Sequence, residues 1–175
     1  ITATYSCSAT VDSPVGTYAI VPRLVDPNQR QTNYTVSLTN GTLTVAQATP
    51  IMTWTNPAPI IYGTALSANQ LNATANVPGS FAYNPTNGAV LNAGTHTLSV
   101  VFTPSDAVDY SSATNMVSLV VARALLTVTA ANTNRAYGQA NPVFTGTITG
   151  LVNGDNITAA YSCSATVNSP VGTYA

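Results

Sequence analysis

The residues that could support catalysis or metal binding are few, and the sequence spreads them widely. Cys7 and Cys163 are the only cysteines, His96 is the only histidine, and Asp106 and Asp109 form the only closely spaced acidic pair. Nucleophilic catalysis needs a nucleophile beside a base, and a calcium ion needs about six to eight oxygen ligands. One short carboxylate pair falls well below that number. We therefore expect no catalytic residues, no cofactor and no metal site, and we predict that the protein is not an enzyme.

The chain repeats its own beginning near its end. Residues 157–175 match residues 1–19 at 17 of 19 positions with an offset of 156, and the differences are Thr4/Ala160 and Asp12/Asn168. Self-similarity at a fixed period indicates a tandem array. We therefore expect one period of a longer array, with the function residing in the array.

A second period of 75–78 residues lies inside the first. The matching motifs are Asn33-Tyr34 with Asp109-Tyr110, Tyr62-Gly63 with Tyr137-Gly138, and Gly16-Thr-Tyr18 with Gly94-Thr-His96. Their recurrence predicts structural roles for the repeated tyrosines and glycines, namely Tyr34, Tyr110, Tyr137, Gly16, Gly94 and Gly138. Two related modules should therefore alternate. Residues 49–122 form one complete module, residues 1–48 the C-terminal part of the other type, and residues 123–175 the N-terminal part of its next copy.

The two cysteines occupy the same position in successive repeats, since Cys163 is the counterpart of Cys7. Neither has a second cysteine within its own module, which excludes a disulfide inside one module. A small buried thiol and a bridge to a neighbouring chain are both compatible with this spacing.

The composition is nearly uncharged. Charged residues make up 5% of the chain, there is no Lys or Glu, and the net charge is −1, whereas 45% of residues are hydrophobic. This balance excludes a nucleic-acid partner, and no apolar run approaches the roughly 20 residues that span a bilayer. Because soluble sheets commonly protect their edges with Lys, its absence suggests side-by-side assembly. Abundant Thr, Ser and Asn would be the alternative source of solubility.

The apolar residues alternate with polar ones at the period of a β-strand. Leu98, Val100 and Phe102 follow this pattern, and further strands are expected at 51–54, 59–62, 71–75 and 117–121. Residues 34–38 also alternate, and Asn40-Gly41 after them predicts a hairpin into residues 43–45. We predict an all-β fold of tandem Ig-like β-sandwich modules arranged end to end, with no helices of note. The joints at residues 45–50 and 121–125 contain no Gly/Ser spacer, which predicts stiff connections at about 70 Å per repeat.

Aromatic residues offer the best candidates for ligand contact. Trp54, Tyr62 and Tyr83 could form a stacking face for a carbohydrate, although Trp54 lies beside Pro57 and Pro59, where packing at a module junction is the simpler interpretation. His96 takes the slot that Tyr18 fills in the sister module and is interpreted as a strand residue. The Asp pair before Tyr110 is typical of the turn at a sandwich corner, where a Tyr hydroxyl bonds to the backbone.

Two stretches resemble known bacterial repeats. Residues 126–155, with Tyr137-Gly138 and the Gly- and Thr-rich run that follows, resemble the start of an MBG-type repeat, and residues 13–45 resemble its second half. Residues 50–122 are similar to a bacterial Ig-like repeat that often alternates with it. The resemblance implies large, repetitive surface proteins of adhesin or filament type, without catalytic residues.

We therefore expect a structural repeat unit of an extracellular bacterial stalk or filament at the cell surface. The alternative is a carbohydrate- or receptor-binding adhesin module. The expected partners are copies of the same chain, forming a fibre or bundle, and a glycan or host receptor. No nucleic acid and no membrane insertion of this segment are expected.

Overall fold

The computed structural model describes all 175 residues and is all-β, as the sequence predicts. The only helical element is a single 3-10 turn at Arg30–Asn33. The eleven strands are β1 Thr2–Cys7, β2 Gly16–Val25, β3 Gly41–Val45, β4 Met52–Thr53, β5 Ile60–Ile61, β6 Thr74–Ala75, β7 Gly79–Asn84, β8 Gly94–Pro104, β9 Ala113–Ala122, β10 Thr127–Ala130 and β11 Gly146–Thr149. Strands therefore form at or inside each of the stretches where the alternation predicted them, with the exception of residues 34–38.

The chain forms two compact units by internal contacts. The first comprises residues 1–55, 72–84 and 98–117, and the second comprises residues 56–71, 85–97 and 118–175. The long strands β8 and β9 contribute residues to both. The module boundaries at residues 48/49 and 122/123 stay a prediction from the sequence repeats.

In the first unit, strands β1, β2 and β3 form an antiparallel sheet in which β2 is central. Opposite residues share a face, so the register places Tyr5 beside Pro22 and Tyr18 beside Leu43. One face of this sheet is consequently apolar, while the other is mixed and carries Thr, Ser and Arg23 together with Ala19, Val21 and Val25. None of its residues is buried to the level of a core.

The first unit also holds the best-packed part of the protein. Strand β7 pairs antiparallel with β8, and β4 pairs with β6. Leu98, Val100 and Phe102 alternate along β8 and are fully buried. Each such side chain contributes about 1.5–3 kcal/mol on burial. The ring of Phe81 packs on Phe102 with centroids 4.8 Å apart.

In the second unit, β5 runs parallel to the end of β9, with Ile60 opposite Val121. Its buried apolar side chains are Leu66, Leu71, Leu119 and Val121. The short hairpin-like pair β10 and β11 aligns Val128 with Ile148. Residues 157–175 form no strand at all.

The hairpin predicted at Asn40-Gly41 is wrong. Residues 34–40 lie outside any strand, and β3 pairs with β2 instead, with Gly41 opposite Ile20. Gly41 lacks the positive φ that a type I′ turn requires. A Cβ at this position would lie 3.4 Å from the Cβ of Ile20, so the glycine serves close strand pairing rather than a turn.

Candidate functional site

The joint at residues 45–50 is fixed by backbone hydrogen bonds to a loop of the 49–122 segment. Ala48 forms a parallel bridge with Tyr110. Its N–H donates to the carbonyl of Asp109 at 2.9 Å, and its carbonyl accepts from the N–H of Ser111 at 2.9 Å. This connection therefore behaves as a short strand and not as a free linker.

Side chains reinforce the same joint. The amide of Gln47 donates to the carbonyls of Ala107 and Val108 at 2.9 and 3.1 Å. The carboxylate of Asp109 accepts from the N–H of Val15 at 2.7 Å. Asp109 is half-buried, and a carboxylate bonded to a backbone N–H in such a place forms a strong, charge-assisted contact. We call the contacts of Gln47, Ala48 and Asp109 the first junction.

Asp106 fixes the conformation of the loop that carries Asp109. Its carboxylate accepts from the N–H groups of Val108 at 3.0 Å and Asp109 at 3.1 Å. Asp often closes turns in this way because its short side chain reaches the backbone two or three residues further on. The acidic pair expected from the sequence is thus brought together, with one member shaping the loop and the other binding Val15.

The joint after β9 has a second set of contacts. The N–H of Tyr62 donates to the carbonyl of Ala122 at 2.8 Å, and its hydroxyl donates to the carboxylate of Asp155 at 3.0 Å. Gly63 has a φ of +96°, and a Cβ there would approach Val152 to 2.9 Å. The glycine of this Tyr-Gly motif therefore allows close packing. We call these contacts the second junction.

A small open cavity of about 290 Å³ lies at the second junction. Its wall includes Tyr62, Asn92, Arg123, Leu151 and Asp155. The hydroxyl of Tyr62 and the carboxylate of Asp155 bond to each other across it. Two polar groups of this wall, the hydroxyl of Tyr62 and the carboxylate of Asp155, are therefore already paired with each other.

Three equivalent positions of the sequence repeat carry the same bond to a backbone carbonyl four residues earlier. The hydroxyl of Tyr18 donates to the carbonyl of Pro14 at 2.8 Å, and that of Tyr174 donates to Pro170 at 2.7 Å. His96 places Nε2 at 2.7 Å from the carbonyl of Asn92, also four residues earlier. His96 therefore makes the same hydrogen bond as Tyr18, its counterpart in the sequence repeat.

The candidate stacking aromatics are placed in two locations. Trp54 is only 8% exposed and packs edge-on against Tyr83, with ring centroids 5.5 Å apart. The hydroxyl of Tyr83 accepts from the N–H of Ala73 at 2.9 Å. Tyr62 belongs to the second junction instead. Packing and hydrogen bonds to other groups of the protein thus occupy these three side chains.

The remaining predicted residues have varied surroundings. Tyr34 and Tyr137 are 68% and 65% exposed, whereas Tyr110 is half-buried at the first junction. Gly94 and Gly138 have positive φ angles of 142° and 82°, and Gly16 does not. Cys7 is exposed, Cys163 is half-buried, and both are free thiols in the single chain. A bridge to a neighbouring chain stays a prediction.

Residues 157–175 are held by a polar clamp that the sequence reasoning missed. Arg135 donates through its guanidinium to the carbonyl of Thr166 and to the side chain of Asn141, the latter at 2.7 Å. Asn141 in turn donates to the carbonyl of Ala165 at 2.7 Å. The sequence feature that could have indicated these contacts is Arg135, because the chain has only four Lys and Arg residues in total. A groove of about 840 Å³ is lined by residues from both 130–145 and 161–175.

The chain is thus an all-β protein that carries an internal sequence repeat. More particularly, this chain belongs to the MBG domain family of the YGX type, whose profile matches residues 1–44 and 126–175, together more than half of the sequence. The second matched segment contains Tyr137-Gly138. No curated protein matches the chain. None of its helical structure is long and apolar enough to cross a bilayer.

Proposed function

We propose that the protein is a non-enzymatic structural repeat unit of an extracellular bacterial stalk or filament. In this proposal MBG-type modules alternate with Ig-like modules of the kind formed by residues 49–122. Repetition sets the length of the array, and the bonded joints limit bending. Copies of the same chain are the expected partners in a fibre or bundle.

The first junction is the observation that carries this proposal. Ala48 bonds on both sides to the loop at Asp109–Ser111, and Asp109 reaches back to Val15. Each bond contributes only about 0.5–1.5 kcal/mol, but together they fix the direction of the chain on both sides of residue 48. A flexible Gly/Ser linker would make no such contacts.

The test is small-angle scattering on a polypeptide of several 156-residue repeats. The proposal expects a stiff rod with a repeat of about 70 Å. A Gly/Ser insertion after Gln47 should shorten the mean end-to-end distance, because it separates the strand before the joint from Ala48. The same insertion in the exposed turn at Pro27 and Asn28 is the matched control and should leave the rod unchanged. A coiled, flexible chain without any insertion would contradict the proposal.

A further inference from the structure

We propose that the edge strand β7 pairs with β7 of a second copy of this chain, in antiparallel orientation about Phe81. Each copy thereby adds a strand to the sheet of the other, a mode of recognition known as β-augmentation. The inference goes beyond the proposed function, because it names the surface through which two copies meet. It does not require that the protein be a stalk.

Strand β7 has main-chain groups that no other part of the chain binds. The strand ends a four-stranded sheet and pairs only with β8. The carbonyl of Pro78 accepts from the N–H of Ser105 at 2.9 Å, so the even-numbered residues of β7 direct their N–H and C=O groups to β8. The odd-numbered residues direct theirs away from it, and no backbone or side-chain group bonds to them. These outward residues are Gly79, Phe81 and Tyr83.

The two edges of this sheet differ in their protection against pairing. The other edge strand, β5, spans only Ile60–Ile61, and Pro57 and Pro59 precede it. Short length and proline both keep an edge from pairing with another chain. Strand β7 is six residues long and contains no charged residue and no proline. Its register with β8 is continuous, so no bulge turns it aside. The β7 edge thus lacks these protective features.

The apolar face of the sheet is incompletely covered at β7. Along β8, Val100 and Phe102 are fully buried, whereas Phe81 and Tyr83 lie opposite them on β7 and are only half-buried. The ring of Phe81 lies 4.8 Å from that of Phe102 and 6.3 Å from that of Tyr83, measured between centroids. An aromatic row therefore ends at the edge. A further strand would remove part of these rings from water, which favours its addition.

A second copy is the occupant that fits, because β7 is complementary to itself. With a twofold axis at Phe81, this residue lies opposite its own counterpart and Gly79 lies opposite Tyr83. The outward residues then meet only one another, and each such pair exchanges two N–H···O bonds. Gly79 places no side chain beside the ring of Tyr83, and Ser80 meets Ala82, so no pair brings like charges together. The contact is isologous, and a dimer satisfies it.

The same edge would join whole arrays, a consequence that rests on the proposed function. An array carries β7 once in every period, and a twofold contact orients two arrays in opposite directions. Several weak contacts between the same two arrays reinforce one another, because the first contact raises the local concentration of the next. Bundles would therefore be antiparallel.

The first experiment is sedimentation equilibrium on the 175-residue chain over a concentration series, with one lysine introduced at two positions. Ala82→Lys adds a charge to the exposed face of β7 directly beside Phe81, so two like charges approach each other in the dimer. It should weaken dimerisation at least about tenfold. Thr114→Lys is the matched control, since it adds the same charge to an exposed position of β9, two strands away from β7. It should change the dissociation constant less than about twofold, because salt screens distant charges.

Amide hydrogen exchange, followed by NMR at low and high protein concentration, identifies the strand that pairs. The N–H of Ala82 bonds to β8 and should be protected at both concentrations. The N–H groups of Phe81 and Tyr83 should exchange rapidly in the monomer and slowly in the dimer. An alternation of this kind requires a strand added at the β7 edge, whereas docking through a sheet face would not produce it.

Circular dichroism shows whether each variant is folded. Three outcomes would overturn the proposal. The first is a chain that stays monomeric at every concentration, with the edge open to a strand of another protein or to none. The others are equal effects of the two lysine variants, and rapid exchange of both outward amides in the associated state. None of them concerns the stiffness that scattering measures on repeated chains, so this inference and the proposed function fail separately.

Discussion

The carboxylate of Asp109 accepts a hydrogen bond from the backbone N–H of Val15 at 2.7 Å, although 94 residues separate them in sequence. The contact joins residues 1–48 to the corner loop of the next segment. Asp106 holds that loop in shape, and Ala48 bonds to its backbone. One of the five carboxylates of the chain, that of Asp109, is therefore part of the first junction.

Asp109→Ala should destabilise the first unit and loosen the joint. The variant leaves the N–H of Val15 without its partner, and we expect a loss of about 1–2 kcal/mol in the free energy of unfolding, since the site is half-buried. Urea denaturation measures the loss. Asp12→Ala is the control, because the equivalent position in the other copy is Asn168. Equal effects of the two variants would contradict the role given to Asp109.

Gly150→Ala should be far more damaging than Gly154→Ala. Both glycines have positive φ, 91° and 71°, so both variants strain the backbone by about 1 kcal/mol. A Cβ on Gly150 would also collide with the carbonyl of Leu125, whereas nothing lies within 4 Å of one on Gly154. We expect the Gly150 variant to lose several kcal/mol, about 3 or more. Denaturation curves of the pair test this, and similar losses would show that φ alone decides.

His96→Tyr should keep the stability of the parent, and His96→Phe should lower it modestly. Tyr18 fills the equivalent slot and makes the same bond to the carbonyl four residues earlier. Phenylalanine keeps an aromatic ring but cannot bond to the carbonyl of Asn92, at a cost of about 0.5–1.5 kcal/mol. Thermal unfolding of the two variants measures the difference. Equal stability of the Tyr and Phe variants would mean that this hydrogen bond contributes nothing.

Periodicity predicted the strands that pack a core. Along β8 the apolar positions Leu98, Val100 and Phe102 are the fully buried ones. This prediction was correct because successive side chains of a strand point to opposite faces, so a half-buried strand shows as alternation in the sequence. The Asn40-Gly41 turn signal failed because the partner of β3 is β2, whose paired residues lie 21 to 29 positions earlier.

The repeated segment shows most directly what a local pattern cannot predict. Residues 2–7 form a strand, and their nearly identical counterparts 158–163 do not. The first copy pairs with Ile20–Val25, and the 175 residues contain no second copy of that stretch. Since a strand needs a partner for its backbone groups, the same side chains form a strand in one place and a loop in the other. The bond of Asp109 to Val15 could not be predicted either, because it joins residues 94 positions apart and no local pattern reports such a contact.

Tyr83→Phe tests whether the ring pair of Trp54 and Tyr83 serves packing or binds a ligand. The hydroxyl of Tyr83 satisfies the N–H of Ala73, which is only 7% exposed, so its removal should cost about 1–3 kcal/mol. Tyr34→Phe is the control, since Tyr34 is 68% exposed, and its free energy of unfolding should stay within about 0.5 kcal/mol of the parent.

The fluorescence of Trp54 follows both unfolding curves, and its quenching reports how accessible the ring is. Weak quenching by acrylamide fits a ring packed against Tyr83, because a ring that is 8% exposed offers little surface to a quencher or to a sugar. Strong quenching, or a fluorescence change on titration with glycans, would instead favour the carbohydrate-binding alternative.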